Sequence, residues 1–489
     1  MPKTPGACLQ NLPMELHWNI LENVSDVRAL ASAALTCWAL YSAFKAKEAD
    51  LPTDVLVNTI GYDVLPEAVF VYQCSPPGLV TLDAPLWQHV HAILVGRGAA
   101  AIDYINEFVR HIKQRNVPLL IKWGMDEALL LNAFHLDVVV PFTQKFIQSA
   151  AQEPMSFPGK DLDESLQDRP ATRLEKERIA RALYRFELYR KLFGRHCDGM
   201  EYQLSEPHAY GFFKRLAPWE IVQLATIHDF LANQLIPVVG DIVEHDIEWA
   251  SSVIDKVDKS NIYTPWNRRV DHPAVQYLLT LGLEEILKMA SCDTFKSRVR
   301  GVPDGRGTLQ SENKWFLGTA FRVSDALRPT PFGVRLLHGK PYHDDGDAGA
   351  QQMWRAGLSD SRSPFYDPRD WLDRRWGSVM WDRERFQELG VLDKPWSRAE
   401  KAERGISPAD YKKSLQKRAK LWDVGGRGYW SMHDESRVVY PNGRKEPPTA
   451  SATDRTKTWI MAVSDESAPV HNASSESWYI RLGRKFVGR

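Results

Sequence analysis

The stretch "LPMELHWNILENV", residues 12–24, decides how the fold is read. Leu12, Leu16, Ile20, Leu21 and Val24 recur at the intervals that place side chains on one face of a helix. Pro13 suits a first helical turn, where its missing N–H has no partner to lose. Ser25 and Asp26 break the pattern and offer a cap to a second helix. Its stripe is Val27, Leu30, Ala34, Leu35 and Trp38, and Leu40, Tyr41 and Phe44 open a third. Three short helices are therefore expected within residues 12–44. Either all their apolar faces are used inside the chain, or one is left for a partner.

Outward from there, "LPTDVLVNTIGYDVLPEAVFVYQC" (51–74) predicts more short helices, punctuated by Gly61 and Pro66. The Pro- and Gly-rich residues 75–85 read as a linker. Helical patterns resume in 86–115 and 126–150, and the polar segment 152–172 reads as a loop. Thr172 and Glu175 then make the T-x-x-E pattern of a capping box. The helix behind it has a stripe of Ile179, Leu183 and Phe186, and Gly194 is placed to end it. Its basic residues (Arg173, Lys176, Arg178, Arg181, Arg185) alternate with Glu175, Glu177 and Glu187. That alternation predicts a solvated face laced with i,i+4 ion pairs.

"LAPWEIVQLATIHDFLANQLIP" (216–237) predicts a helix opened by Pro218 and Glu220 and closed by Pro237. His228, on its apolar side, reads as a satisfied core histidine. Residues 300–350 have loop chemistry, and 369–390 predict helix on both sides of Gly377. "GGRG" (425–428) reads as a turn. The expected class is mainly α, with a three-helix unit at 1–50, a helical continuation at 51–150, a polar loop at 151–171 and a Trp-rich helical region at 172–489. The last third is expected to be irregular, with a few short strands.

The chain has 489 residues, 44% hydrophobic and 25% charged, which gives ample length for a core. Its 62 basic and 62 acidic residues cancel, so there is no general pull toward nucleic acid or an anionic membrane, and neither is an expected partner. The five cysteines form no C-x-x-C pair, which points to reduced thiols and a cytoplasmic or nuclear setting. The uncharged run 29–44 is too short to span a bilayer. The 17 tryptophans read as packing residues with arginines stacked on indole faces.

Catalytic signatures are absent: no GxSxG elbow, Walker loop, HExxH or strand-linked GxGxxG occurs. His343, Asp344, Asp345 and Asp347 resemble a cation loop but lack the acidic twelfth position of an EF-hand. His433 and Asp434 have no identifiable third group. No cofactor, metal ligand or catalytic residue is expected.

Residues 12–44 resemble an F-box. The match runs through Leu12-Pro13-Met14-Glu15-Leu16, Ile20-Leu21, Val24, Val27, Leu30 and then "ALTCWALYSAF". This version, and its continuation to about residue 72, looks like those of fungal F-box domain-containing proteins. The turn Ser25-Asp26 lacks the family's usual proline, and Cys37-Trp38 lacks its usual basic residue. The resemblance implies a non-catalytic substrate receptor that docks on the Skp adaptor, and through it on the cullin, of a Skp–cullin–F-box ubiquitin ligase. It implies adaptor contacts at Leu12, Pro13, Ile20, Leu21, Val27 and Leu30, with an unknown protein substrate bound by the C-terminal region. Leu16, Leu35 and Trp38 are then expected to hold the three helices together. Two alternatives stay open: a helical interaction protein with a vestigial F-box, and an enzyme of unrecognised class.

Overall fold

The spacing of residues 12–44 becomes three helices: α1 (Met14–Glu22), α2 (Val27–Ala34) and α3 (Trp38–Ala46). The structure, a computed structural model, describes residues 9–73, 123–152, 169–193, 216–259, 273–302, 316–317, 345–357, 375–391 and 408–440. The expected linker at 75–85, the helical pattern at 86–115, most of the polar loop at 151–171, Gly194, most of 300–350 and the residues after 440 lie outside these. Helices dominate the described residues, so the mainly α class holds. The chain forms two compact units. One comprises Met1–Ala232, Gln276–Leu287 and Asn313–Lys401, and the other Asn233–Val275, Lys288–Glu312 and Ala402–Arg489.

In the first unit, α1 starts directly after Pro13. Asp26 caps α2 by accepting from Ala29 N at 2.9 Å. Next come α4 (Leu51–Ile60), with proline in its first turn, and α5 (Leu65–Gln73). Gly61 ends α4 at φ 97°, where a Cβ would stand 2.7 Å from Glu177 Oε1. The positive φ demands glycine there, while the nearby Glu177 carboxylate is the end of a flexible side chain that could shift. Helix α6 (Met125–Phe134) runs into a wide π turn, His135–Val139, and then α7 (Val140–Ala151). Pro141 has no N–H to donate to the carbonyl four residues back, and the wide turn sits where that bond is missing.

Helix α8 (Arg173–Phe193) has the expected capping box: Glu175 N donates to Thr172 Oγ1 at 3.1 Å, and Thr172 N to Glu175 Oε2 at 2.9 Å. The solvated face is corrected. Residues 178–189 are buried without interruption, including Arg178, Arg181 and Arg185. Their partners come mostly from distant segments. Arg185 lies between Glu67 of α5 (3.0 Å) and Glu220 (2.7 Å). Arg178 donates to Asp345 at 2.6 Å, Asp382 at 2.8 Å and Asp347 at 2.9 Å. Arg385 holds Glu175 with two bonds of 2.8 Å. Arg173–Glu177 is a local i,i+4 pair of the expected kind, and Arg190–Glu187 is a local i,i+3 pair.

Helix α9 (Pro218–His245) continues through Pro237 instead of closing there. Pro237 is exposed, so the carbonyl that loses its donor lies on a solvated side of the helix. His228 is a satisfied core residue, as expected: Nδ1 meets Asp229 at 3.0 Å and Nε2 meets the Gln276 amide at 3.0–3.2 Å.

Helices α10 (Ile247–Lys259), α11 (Pro273–Leu279), α12 (Leu283–Ala290) and α13 (Phe295–Gly301) follow, then α14 (Gly349–Gly357), α15 (Arg383–Leu389) and α16 (Pro408–Asp423). Residues 369–374 lie outside the described set. After Gly377, helix resumes at Arg383.

In the second unit α10 packs along α16. Of the "GGRG" stretch expected as a turn, Gly425 and Gly426 form it, their N–H groups donating to Trp422 O and Leu421 O to close α16, while Arg427 and Gly428 are strand. The chain then forms β1 (Arg427–Gly428), antiparallel to β2 (Val438–Val439), with Arg427 opposite Val439. Ile247, Leu421 and Trp430 form a small core, and Arg427 lies 3.2 Å over the Trp422 ring. Arg418, fully buried, donates to Asp246 O at 2.8 Å, and burial brings its guanidinium down to about 10. Among the described residues no single helix is long and apolar enough to cross a membrane.

Candidate docking surface

Helix α1 buries only His17 and Leu21. His17 Nε2 meets Leu9 O at 2.8 Å and so holds the 3₁₀ turn Leu9–Asn11 against the helix. On α1 the more regular apolar pair, Leu16 and Ile20, faces outward at 47% and 38% exposure. Glu15 and Asn19, also exposed and four residues apart, line one edge of that stripe. Met14 and Leu9 are exposed beside it. At the α2–α3 junction Leu35 is 62% and Trp38 78% exposed, with Tyr41 6.0 Å from the Trp38 ring.

This corrects the division of labour expected from the sequence. Leu16, Leu35 and Trp38 do not hold the three helices together. The large side chains buried on these helices are instead Leu21, Val27, Leu30, Leu40 and Phe44, with Ala34 and Ala43. Each large member contributes roughly 1.5–3 kcal/mol by leaving water. Trp18 Nε1 donates to Ala43 O at 3.0 Å, and Lys47 lies over the Trp18 ring while pairing with Glu22. Helix α2 is also fastened to α6 and the π turn. Asn132 Oδ1 accepts from Val27 N, and Arg28 pairs with Asp137.

Of the six expected contact residues, Pro13 and Ile20 are exposed and Leu12 is half-buried. Leu21, Val27 and Leu30 have 0% exposure and serve the interior. Sequence reasoning passed over Met14 as a contact and gave Leu16, Leu35 and Trp38 to the core. The available signal was Trp38, a large aromatic standing where the F-box pattern usually has a basic residue.

Six of the eight exposed large hydrophobic side chains in the described residues fall between Leu9 and Trp38; the others are Met432 and Val439. Exposed apolar side chains that cluster mark interaction sites more often than scattered ones do, and here the concentration lies on α1 and at the α2–α3 junction.

The charged interior does different work. Burial pushes the Asp345 carboxyl up, but Arg178 and Arg181 override it and hold it at about 2. Asp382 is raised by burial despite Thr172 and Arg178. Glu67 is likewise raised by burial against Arg185 and Arg181. Burial takes the His135 imidazole down to about 4, beside Tyr184 OH at 3.1 Å. Asp345 and Asp347 of the cation-like loop are thus committed to Arg178, while His343 and Asp344 lie outside the described residues. Among the described residues no group of three or more His, Cys, Asp or Glu side chains is arranged to hold a metal. His433 is exposed on the turn between β1 and β2.

No protein-family model matches the chain, and neither a curated protein nor a solved structure matches it.

Proposed function

We propose that this chain is an F-box protein, a non-catalytic substrate receptor of a Skp–cullin–F-box ubiquitin ligase. It docks on the Skp adaptor through the outward face of α1 and the α2–α3 junction, and a protein target binds elsewhere on the chain. The carrying observation is the concentration of exposed apolar side chains between Leu9 and Trp38, within the stretch whose sequence resembles an F-box. A helix face of this kind is buried by insertion into an apolar groove. The work is done where the adaptor resides, in the cytoplasm or nucleus.

The test is co-purification of the recombinant chain with the Skp adaptor. Wild type is expected to bring the adaptor down. A Pro13→Ala, Ile20→Asp variant is expected to lose it while keeping its fold, because both side chains are exposed. Equal absence of adaptor from both preparations counts against the proposal.

A second reading is favoured by one observation. Leu21, Val27 and Leu30 are buried within the chain, and α2 is fastened to α6 and the π turn. Under that reading the three helices are a vestigial F-box that only completes the helical body. It predicts no adaptor binding, and little effect of Ile20→Asp on anything but solubility.

A further inference from the structure

We infer that the partner covering α1 is a protein whose apolar groove carries a lysine or arginine facing Glu15. This rests on the docking reading above and adds the chemistry of the opposing surface. Each lysine and arginine of residues 9–50 already has a carboxylate: Arg28 has Asp137, Lys45 has Glu48 and Lys47 has Glu22. Among the carboxylates, Asp26 caps α2. Glu15 is exposed on the edge of the Leu16–Ile20 stripe. Among the described residues the docking face therefore combines apolar side chains with a carboxylate that no side-chain cation neutralises, held in the first turn of α1 where the helix N-terminus offsets only part of its charge, and offers no unpaired cation. An anionic bilayer or a nucleic-acid backbone would meet that carboxylate and gain no ion pair in return. A protein groove with a basic rim buries the apolar stripe and neutralises Glu15 in one step, which also steers encounter at low salt.

The experiment measures the affinity of the full chain for the purified Skp adaptor by calorimetry at low and high salt. Wild type is compared with Glu15→Lys, Glu15→Asp, Ile20→Asp and the control reversal Asp293→Lys. Thermal melts verify that each variant folds. Expected are a loss on the order of five- to tenfold for Glu15→Lys at low salt, shrinking at high salt, near-wild-type binding for Glu15→Asp and Asp293→Lys, and no measurable binding for Ile20→Asp. Wild-type binding that Glu15→Lys leaves unchanged at both salts overturns the charge assignment and leaves the docking reading standing. Failure of wild type to bind overturns both. Sedimentation of wild type with phosphatidylserine-containing vesicles is expected to show no association, and strong association overturns the choice of a protein partner.

Discussion

Replacing Arg178 with alanine removes the one guanidinium that gathers Asp345, Asp347 and Asp382 at 2.6–2.9 Å. Arg178 is 0% exposed, and its three partners are only 10%, 20% and 13% exposed as side chains. The loss is therefore of a buried network and not of a surface pair. Arg181, 3.4 Å from Asp345, is the remaining cation at that carboxylate. Stranding buried carboxylates in this way costs roughly 3–5 kcal/mol, a large share of the roughly 5–15 kcal/mol that holds a domain together. The segments before α14 and α15 both hang on this residue, since Asp347 also accepts from Gly349 N and Arg383 N.

The pH dependence follows from Asp345. Its carboxyl titrates at about 2, below the usual 3.8 of the unfolded chain. The contribution is complete above that ordinary value and is lost as pH falls toward 2. Urea unfolding followed by circular dichroism, at neutral pH and between pH 4 and 2.5, reads both effects. Arg178→Ala is expected to lose several kcal/mol and to flatten the acid limb. A loss below about 1 kcal/mol, within the range of an exposed pair, would refute the claim that this cluster organises the unit.

Other outcomes follow from burial. Leu30→Ala is expected to cost about 2–5 kcal/mol in unfolding free energy, since Leu30 is fully enclosed. Trp38→Ala is expected to leave the melting temperature within a few degrees, because Trp38 is 78% exposed, yet to weaken adaptor capture by at least tenfold as a lost aromatic anchor. His135, held neutral by burial and titrating at about 4 against an ordinary 6.5, is neutral to stability above pH 6.5 and costs the fold progressively more as pH falls from 6.5 toward 4, because the unfolded chain binds the proton first. His135→Gln is expected to reduce that slope, as measured by urea unfolding across the same window.

Local chemistry was legible where it is decided locally. Thr172 and Glu175 cap α8 because the box needs only four consecutive residues. Gly425 and Gly426 close α16 for the same reason. His228 could be read as a satisfied core group from its apolar neighbours, although Gln276 could not be named. The three N-terminal helices were legible too. Which of their faces would be covered was not, because periodicity marks an apolar stripe without saying what lies opposite. Leu16 and Ile20 keep the spacing of a core stripe but face outward, while His17 and Leu21 take the interior. The arginines of α8 were misread for a related reason. Glu175, Glu177 and Glu187 lie at suitable spacing, whereas the partners that bury Arg178 stand 167–204 residues away. Pro237 failed as a stop signal because a proline on an exposed helix side removes one bond that water replaces.

The most direct test of the central claim is hydrogen–deuterium exchange of the full chain with and without the Skp adaptor. The account predicts slowed exchange in residues 9–22 and 35–41 on adding adaptor, with the buried α2 amides already protected and unchanged. Identical exchange in both states across residues 9–46 would contradict it and would leave the exposed apolar side chains of α1 and the α2–α3 junction without the partner assigned to them.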